Sequence, residues 1–153
     1  MPKAYWLLKS EPDVYSIKDL ERDGQTHWEG VRNYQARNFL RDQIKKGDKV
    51  FFYHSNAEPS GIAGIAEVIR EGYPEPEALE RSSRYFDPKS RKEKPVWFAV
   101  DIRFVQKFKT VMPLEALRGI KELEGMPLLR RGQRLSVQPV SAKEWKRITQ
   151  LAA

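Results

Sequence analysis

Five apolar runs of strand length follow one another along this chain with no regular alternation of strand and helix: "AYWLLKS", "DKVFFYHS", "GIAGIAEVIREGY", "VWFAVDIRFVQKF" and "RLSVQPVS". A doubly wound parallel sheet would need a helix after nearly every strand, so the order excludes it and predicts a small α+β barrel with short helices around it. "DKVFFYHS" is too apolar for a solvent-facing edge. Val96, Phe98, Val100 and Ile102 recur at every second position in a rough alternation, with polar partners only at Asp101 and Arg103, as in a long strand. Gly61 and Gly64 mark a bulge, or a place where a backbone or ligand comes close.

Helix signals fall between these runs. Ser16 and Asp19 stand at N-cap and N3 of a short helix that Gly24 stops. Asn33 caps a longer one, in which Ala36, Phe39, Leu40 and Ile44 recur at helical spacing before Gly47. Ser141 and Glu144 form a capping box for a closing helix that turns Trp145 and Ile148 inward. Residues 113–131 hold two helical turns, around "PLEAL" and "MPLLR". Residues 74–95 form a long irregular connection, and its 81–94 stretch holds six basic and two acidic residues, the pattern of a functional or mobile loop.

At 153 residues the chain is expected to be one domain, 1–153. Lys and Arg total 28 against 21 Asp and Glu, a net charge of +7 that favours a polyanionic partner, because basic side chains release counterions on meeting phosphates. No apolar run approaches the roughly 20 residues of a membrane span, and the N-terminus lacks a secretory pattern. A soluble, cytoplasmic protein is expected, monomeric and without a membrane partner. The absence of cysteine excludes disulfides, thiolate metal sites and cysteine nucleophiles.

Two histidines, His27 and His54, appear in no zinc-binding spacing, and no glycine-rich phosphate loop or nucleophile elbow is present. No metal, cofactor or catalytic residue is therefore expected. A nucleic-acid-acting enzyme using His54 and Glu11 is the alternative, against the simpler reading of His54 as a hydrogen-bonded residue at a strand end.

A binding constellation remains. Trp6, Trp28, Tyr34 and Tyr53 offer ring faces on which a base can stack, and Asn33, Gln35, Ser55, Asn56 and Gln138 offer donors and acceptors for its edge. Trp6, Trp97 and Trp145 suit the core, and Tyr53 suits core or pocket equally. Trp28 lies outside any periodicity and is the better stacking candidate. Arg37 and Arg41, four residues apart beside Arg32, can share one helix face, either toward phosphates or simply toward solvent.

"YWLLKSEP" with "YSIKDL", "WEGVRNYQARNFLR", "GDKVFFYHSN", "GIAGIAEV" and "LLRRGQRLSVQPVSAKEWKRI" run in this order from Tyr5 to Ile148. Together they resemble the EVE domain family of the PUA-like superfamily. The resemblance implies a mixed, partly closed β-barrel of about five to six strands with surrounding short helices. It also implies a pocket in the barrel's side and a non-enzymatic reading of a modified base, a modified cytosine in DNA for example, with RNA as the alternative partner. Carried over motif by motif, Lys9, Ser10, Glu11 and Pro12 form one wall, Trp28, Arg32, Asn33 and Tyr34 a second, and His54, Ser55 and Asn56 a third. Ser136 and Gln138 lie on the closing strand. Phosphate contacts are expected from Arg37 and Arg41 and from Lys89, Arg91 and Lys92 of the basic loop. Glu11 suits a donor such as cytosine N4, or an ion pair with Arg32 or Arg37.

Overall fold

Alternate side chains of a strand point to opposite faces, so a run apolar at every position must be covered on both. "VFFYH" is such a run. In the computed structural model, which describes residues 4–152, it forms most of β3 (Lys49–His54) inside one mixed sheet. Residues 1–3 and 153, the ends of the expected 1–153 unit and part of the N-terminal pattern, lie outside the described residues.

The strands are β1 (Tyr5–Ser10), β2 (Gln25–Trp28), β3, β4 (Gly61–Pro74), β5 (Phe98–Pro113) and β6 (Val137–Val140), in the order β2-β5-β4-β3-β1-β6. β1 and β3 are parallel, from Tyr5 opposite Lys49 to Ser10 opposite His54, and the other pairs are antiparallel. Trp6, Leu8, Val50 and Phe52 face one core; Leu7, Phe51 and Tyr53 face the other. α1 (Ile17–Asp23) and α2 (Tyr34–Asn38) cover the first through Ile17, Leu20 and Ala36. α3 (Leu114–Arg118) and α4 (Ala142–Ala152) cover the second, where the Trp145 ring stacks 4.0 Å from Phe51 and 4.7 Å from Tyr5.

The capping signals act as the spacing predicts. Ser16 and Asp19 exchange hydrogen bonds at the start of α1, as Ser141 and Glu144 do before α4. The helix capped by Asn33 is shorter than its periodicity suggests. After Asn38 it widens into a π-helical turn, Phe39–Gln43, closed by the Ile44 N–H donating to the Phe39 carbonyl at 2.9 Å. The wide turn keeps both Leu40 and Ile44 fully buried before the chain extends.

The barrel is not closed. β2 and β6 end the sheet and share no ladder, each having four residues and a single partner strand. Pro139, within β6, has no N–H to offer a further strand. The sheet nevertheless curls, because one core cluster contains both Trp28 of β2 and Val137 of β6.

Gly61 and Gly64 permit the close approach of β4 to β5. A Cβ on Gly64 would sit 2.3 Å from the Gln106 carbonyl oxygen and 2.9 Å from Ile17 Cδ1, where the ladder shifts register. Overpacking of this kind costs about 1–3 kcal/mol. Gly64→Ala is expected to lower the thermal midpoint by that equivalent in calorimetry. Gly119→Ala, whose nearest neighbour would be 3.8 Å away, should leave it nearly unchanged.

Candidate functional site

Where the sheet fails to close, a cleft of about 970 Å³ opens, lined from both edges. Thr26, His27 and Trp28 come from β2, and Ser136 immediately precedes β6. The parallel pairing of β1 with β3 supplies the middle, since parallel strands end on the same side. Ser55 N–H donates to the Ser10 carbonyl at 3.0 Å, and Lys9 N–H to Ser136 at 2.9 Å. Asn56 takes a left-handed conformation, φ 48°, which this residue type tolerates, and its amide donates to Glu11 Oε1 at 3.3 Å. Lys9, Ser10, Glu11, Ser55, Asn56 and Ser136 thus meet from three segments.

The facing wall is built from Gly30, Val31 and Arg32 and from Arg84 and Tyr85 of the basic loop. Arg32 grips the buried Glu75 carboxylate with two nitrogens, at 2.6 and 3.0 Å, and also donates to the Tyr85 carbonyl. Gly30 N–H donates to Glu75 Oε2 at 3.0 Å. A bidentate guanidinium–carboxylate pair fixes direction as well as distance, so this one ties the loop to the cleft.

Burial shapes the cleft's chemistry. It lowers the Lys9 ammonium pKa and raises that of Glu29, to which Glu77 and Glu75 add repulsion. Tyr15 is pushed up to about 12, first by burial and then by its hydrogen bond to Asp23. Lys9, Arg84 and Arg134 make no ion pair among the described residues, whereas Arg32 is committed to Glu75. Beside the cleft the side chain of Asp101, largely buried, holds His27 Nδ1 at 2.8 Å and accepts from the Tyr73 hydroxyl. Among the described residues no group of three or more acidic or histidine side chains could hold a metal, and no helix is long and apolar enough to cross a membrane.

Several expected site residues stand elsewhere. Gln138 is 1% exposed and pairs with Leu7 on the opposite face of the sheet, its amide donating to the Leu135 carbonyl. His54 is buried, its Nε2 accepting from Ile17 N–H at 3.1 Å, so it is a structural acceptor with no free base for the His54–Glu11 chemistry. Asn33 is spent on capping Ala36 N–H, and Pro12 occupies the turn after β1; neither lines the cleft. Tyr34 is exposed and stacks on Trp97, outside the lining. Trp28 lines the cleft at only 8% exposure, edge-on to Phe52, and offers little open face. The arginine stripe is not free: Arg37 donates to the Val96 carbonyl and Arg41 to Asp42. Lys89, Arg91 and Lys92 are exposed beyond the lining. His27, Tyr85, Arg84 and Arg134 were not expected; the only signal for the loop pair was the basic content of its segment.

A curled, open six-stranded mixed sheet whose unpaired edges frame a hydrogen-bonding, cation-rimmed cleft defines a small α+β protein with one side-facing site. A family model described as the EVE domain matches residues 4–151, and the chain belongs to that family. Thymocyte nuclear protein 1 of Mus musculus is 42% identical over 166 residues, covering 96% of this chain and 73% of that protein. A crystal structure of a Pseudomonas syringae protein is similar with a TM-score of 0.93 and 51% identity, over 98% of this chain and all of the other. A crystal structure of human THYN1 protein in complex with 5-methylcytosine-containing DNA is similar with a TM-score of 0.91 and 39% identity, over 98% of each chain.

Two outcomes test the geometry. Arg32→Met leaves Glu75 buried without its partner, a loss of ~3–5 kcal/mol that denaturant titration would read. For His54, burial holds the folded-state pKa below its ordinary 6.5, so the unfolded chain binds the proton first. Its stabilisation is therefore complete above that pH and is lost as pH falls through the lowered value. Wild type should lose unfolding free energy relative to His54→Gln between pH 7.5 and 5; parallel curves would show that burial does not hold this ring neutral.

Proposed function

We propose that this protein is a non-enzymatic reader of a modified base in nucleic acid, DNA in preference to RNA and a modified cytosine in particular. The base would leave its stack and enter the cleft. The observation that carries the reading is the convergence of Glu11, Asn56, Ser55 and Ser136 beneath a rim bearing Lys9, Arg84 and Arg134. The Glu11 carboxylate can accept from cytosine N4 while the Asn56 amide donates to a neighbouring acceptor, which is what recognising that edge requires. Unpaired cations around the mouth suit the flanking phosphates. The likeness to human THYN1 in complex with 5-methylcytosine-containing DNA adds support.

Flipping costs a few kcal/mol, least for a base whose pairing or stacking is already altered, so a shaped cleft can favour the modified form. Lys89, Arg91 and Lys92 would extend the cationic track outward along the backbone. The curled, open sheet is read as PUA-like, and the chain as one domain without cofactor or catalysis.

Fluorescence anisotropy with duplexes that differ by one 5-methylcytosine, and with the matching RNA, tests this. Tighter binding of the methylated DNA is expected, with affinity falling steeply as salt rises. Glu11→Gln and Asn56→Ala should each weaken the methylated complex on the order of tenfold, a hydrogen bond to a charged group being worth ~1.5–3 kcal/mol. Arg134→Ala should weaken methylated and unmethylated duplexes alike. Equal affinity for both duplexes would sink the reading, and a preference for the ribose strand would move the target to RNA.

A further inference from the structure

Three arginines, Arg37, Arg32 and Arg84, and three aromatic rings, Tyr34, Trp97 and Tyr85, form one continuous chain of contacts that ends at the cleft. Arg37 lies 5.1 Å from the Tyr34 ring, which stacks 5.0 Å from Trp97 at 21°. The Arg32 guanidinium is 5.0 Å from Trp97 and 5.5 Å from Tyr85, and Arg84 is 4.9 Å from that same Tyr85 ring. The last three groups of this chain of contacts, Arg32, Tyr85 and Arg84, line the cleft.

The two arginines over Tyr85 are held very differently. Arg32 is locked by Glu75, whose side chain is fully buried, and by the Tyr85 carbonyl. Arg84 is exposed, makes no ion pair among the described residues, and donates only to the Tyr85 hydroxyl at 2.7 Å. The ring itself is firmly seated. It lies where a Cβ on Gly30 would come within 2.5 Å of its Cε1 and Cζ, and Gly30 has φ 82°, so only glycine leaves that place open.

Besides the His27 imidazole, which Asp101 holds through Nδ1, three aromatic side chains line the cleft: Tyr15, Trp28 and Tyr85. Trp28 belongs to the core and Tyr15 packs against it, whereas Tyr85 is part of neither cluster. We propose that Tyr85 is the stacking platform of this cleft: a nucleobase takes the place of Arg84 over the ring, and the displaced guanidinium turns to the adjoining phosphate. This rests on the base-reading function proposed above. The exchange is favourable because an exposed cation–π contact is weaker than a base–aromatic stack, and the freed cation gains an anion. Arg32, clamped to Glu75, keeps the ring from following.

The test measures affinity for a duplex carrying one 5-methylcytosine in Tyr85→Leu, Tyr85→Phe and Arg84→Ala, with folding checked by thermal melting. Tyr85→Leu, which keeps apolar packing on Gly30, should bind roughly 10- to 100-fold more weakly. Tyr85→Phe should stay within about threefold of wild type, since the ring remains. Arg84→Ala should reduce the salt dependence by about one phosphate contact. Wild-type affinity in Tyr85→Leu, while Glu11→Gln and Asn56→Ala lose binding, would overturn the platform and leave the base-reading function standing. Unchanged affinity in all of these variants would overturn both.

Discussion

The parallel pairing of β1 with β3 is the constraint from which the rest of the architecture follows. Parallel neighbours cannot be joined by a hairpin; the chain must cross over, and here the crossover is residues 11–48. That long connection has room for α1, for β2 on the far edge of the sheet, and for α2 with its π-helical turn. The same pairing ends both strands on one side, so Glu11, Ser55 and Asn56 emerge together. One ladder therefore both populates a wall of the cleft and sends β2 round to supply the opposite wall.

Openness and polarity are two aspects of that arrangement. Had β2 and β6 paired, their backbone groups would satisfy one another and the space between them would be filled. Left apart, they expose the side chains of Thr26, His27 and Ser136 to a shared hollow. A buried charge pair then steadies the far side. Glu75 is sequestered from water, and its desolvation is tolerable only because Arg32 meets it with two hydrogen bonds and Gly30 with a third. This adds to the bonds that hold the charged, largely exposed loop, where the Trp97 indole donates to Asp87, the Asp87 N–H to the Ala78 carbonyl and the Val96 N–H to Ser90.

Much of the frame was legible in the residues. Capping boxes rest on local chemistry between positions three apart, so Ser16–Asp19 and Ser141–Glu144 could be read directly. The doubly apolar "VFFYH" announced a central strand, and Gly64 announced a close approach. β2 was not legible: "QTHW" is four residues long and mostly polar, and it is a strand only because β5 offers a partner. The site was read less well where roles depend on which face a side chain takes. Gln138 lies one place from Val137 in a four-residue strand, and that single step turns its amide to the other side of the sheet. Asn33 and His54 have the right chemistry to meet a ligand, but each satisfies a nearby backbone N–H first. No periodicity relates Tyr85 or Arg134 to the strands they face, and only tertiary structure brings them there.

The electrostatics of the cleft separate two kinds of basic residue that composition cannot distinguish. A net charge of +7 counts Arg32, Arg37 and Arg41 equally with Lys9, Arg84 and Arg134. The first three are already engaged, with a carboxylate, a carbonyl and a carboxylate respectively. Their charge adds to the general field, but their donors are largely spent, and moving Arg32 would strand Glu75. The second three pair with no carboxylate among the described residues, and Arg84 gives one hydrogen bond, to the Tyr85 hydroxyl. Lys9 goes further: burial takes solvent from its amine and lowers its pKa, and no carboxylate among the described residues pairs with it. An incoming phosphate or carbonyl oxygen would restore what burial removed. The attraction of this site is thus set less by how many cations the chain carries than by how few of those at the cleft have partners.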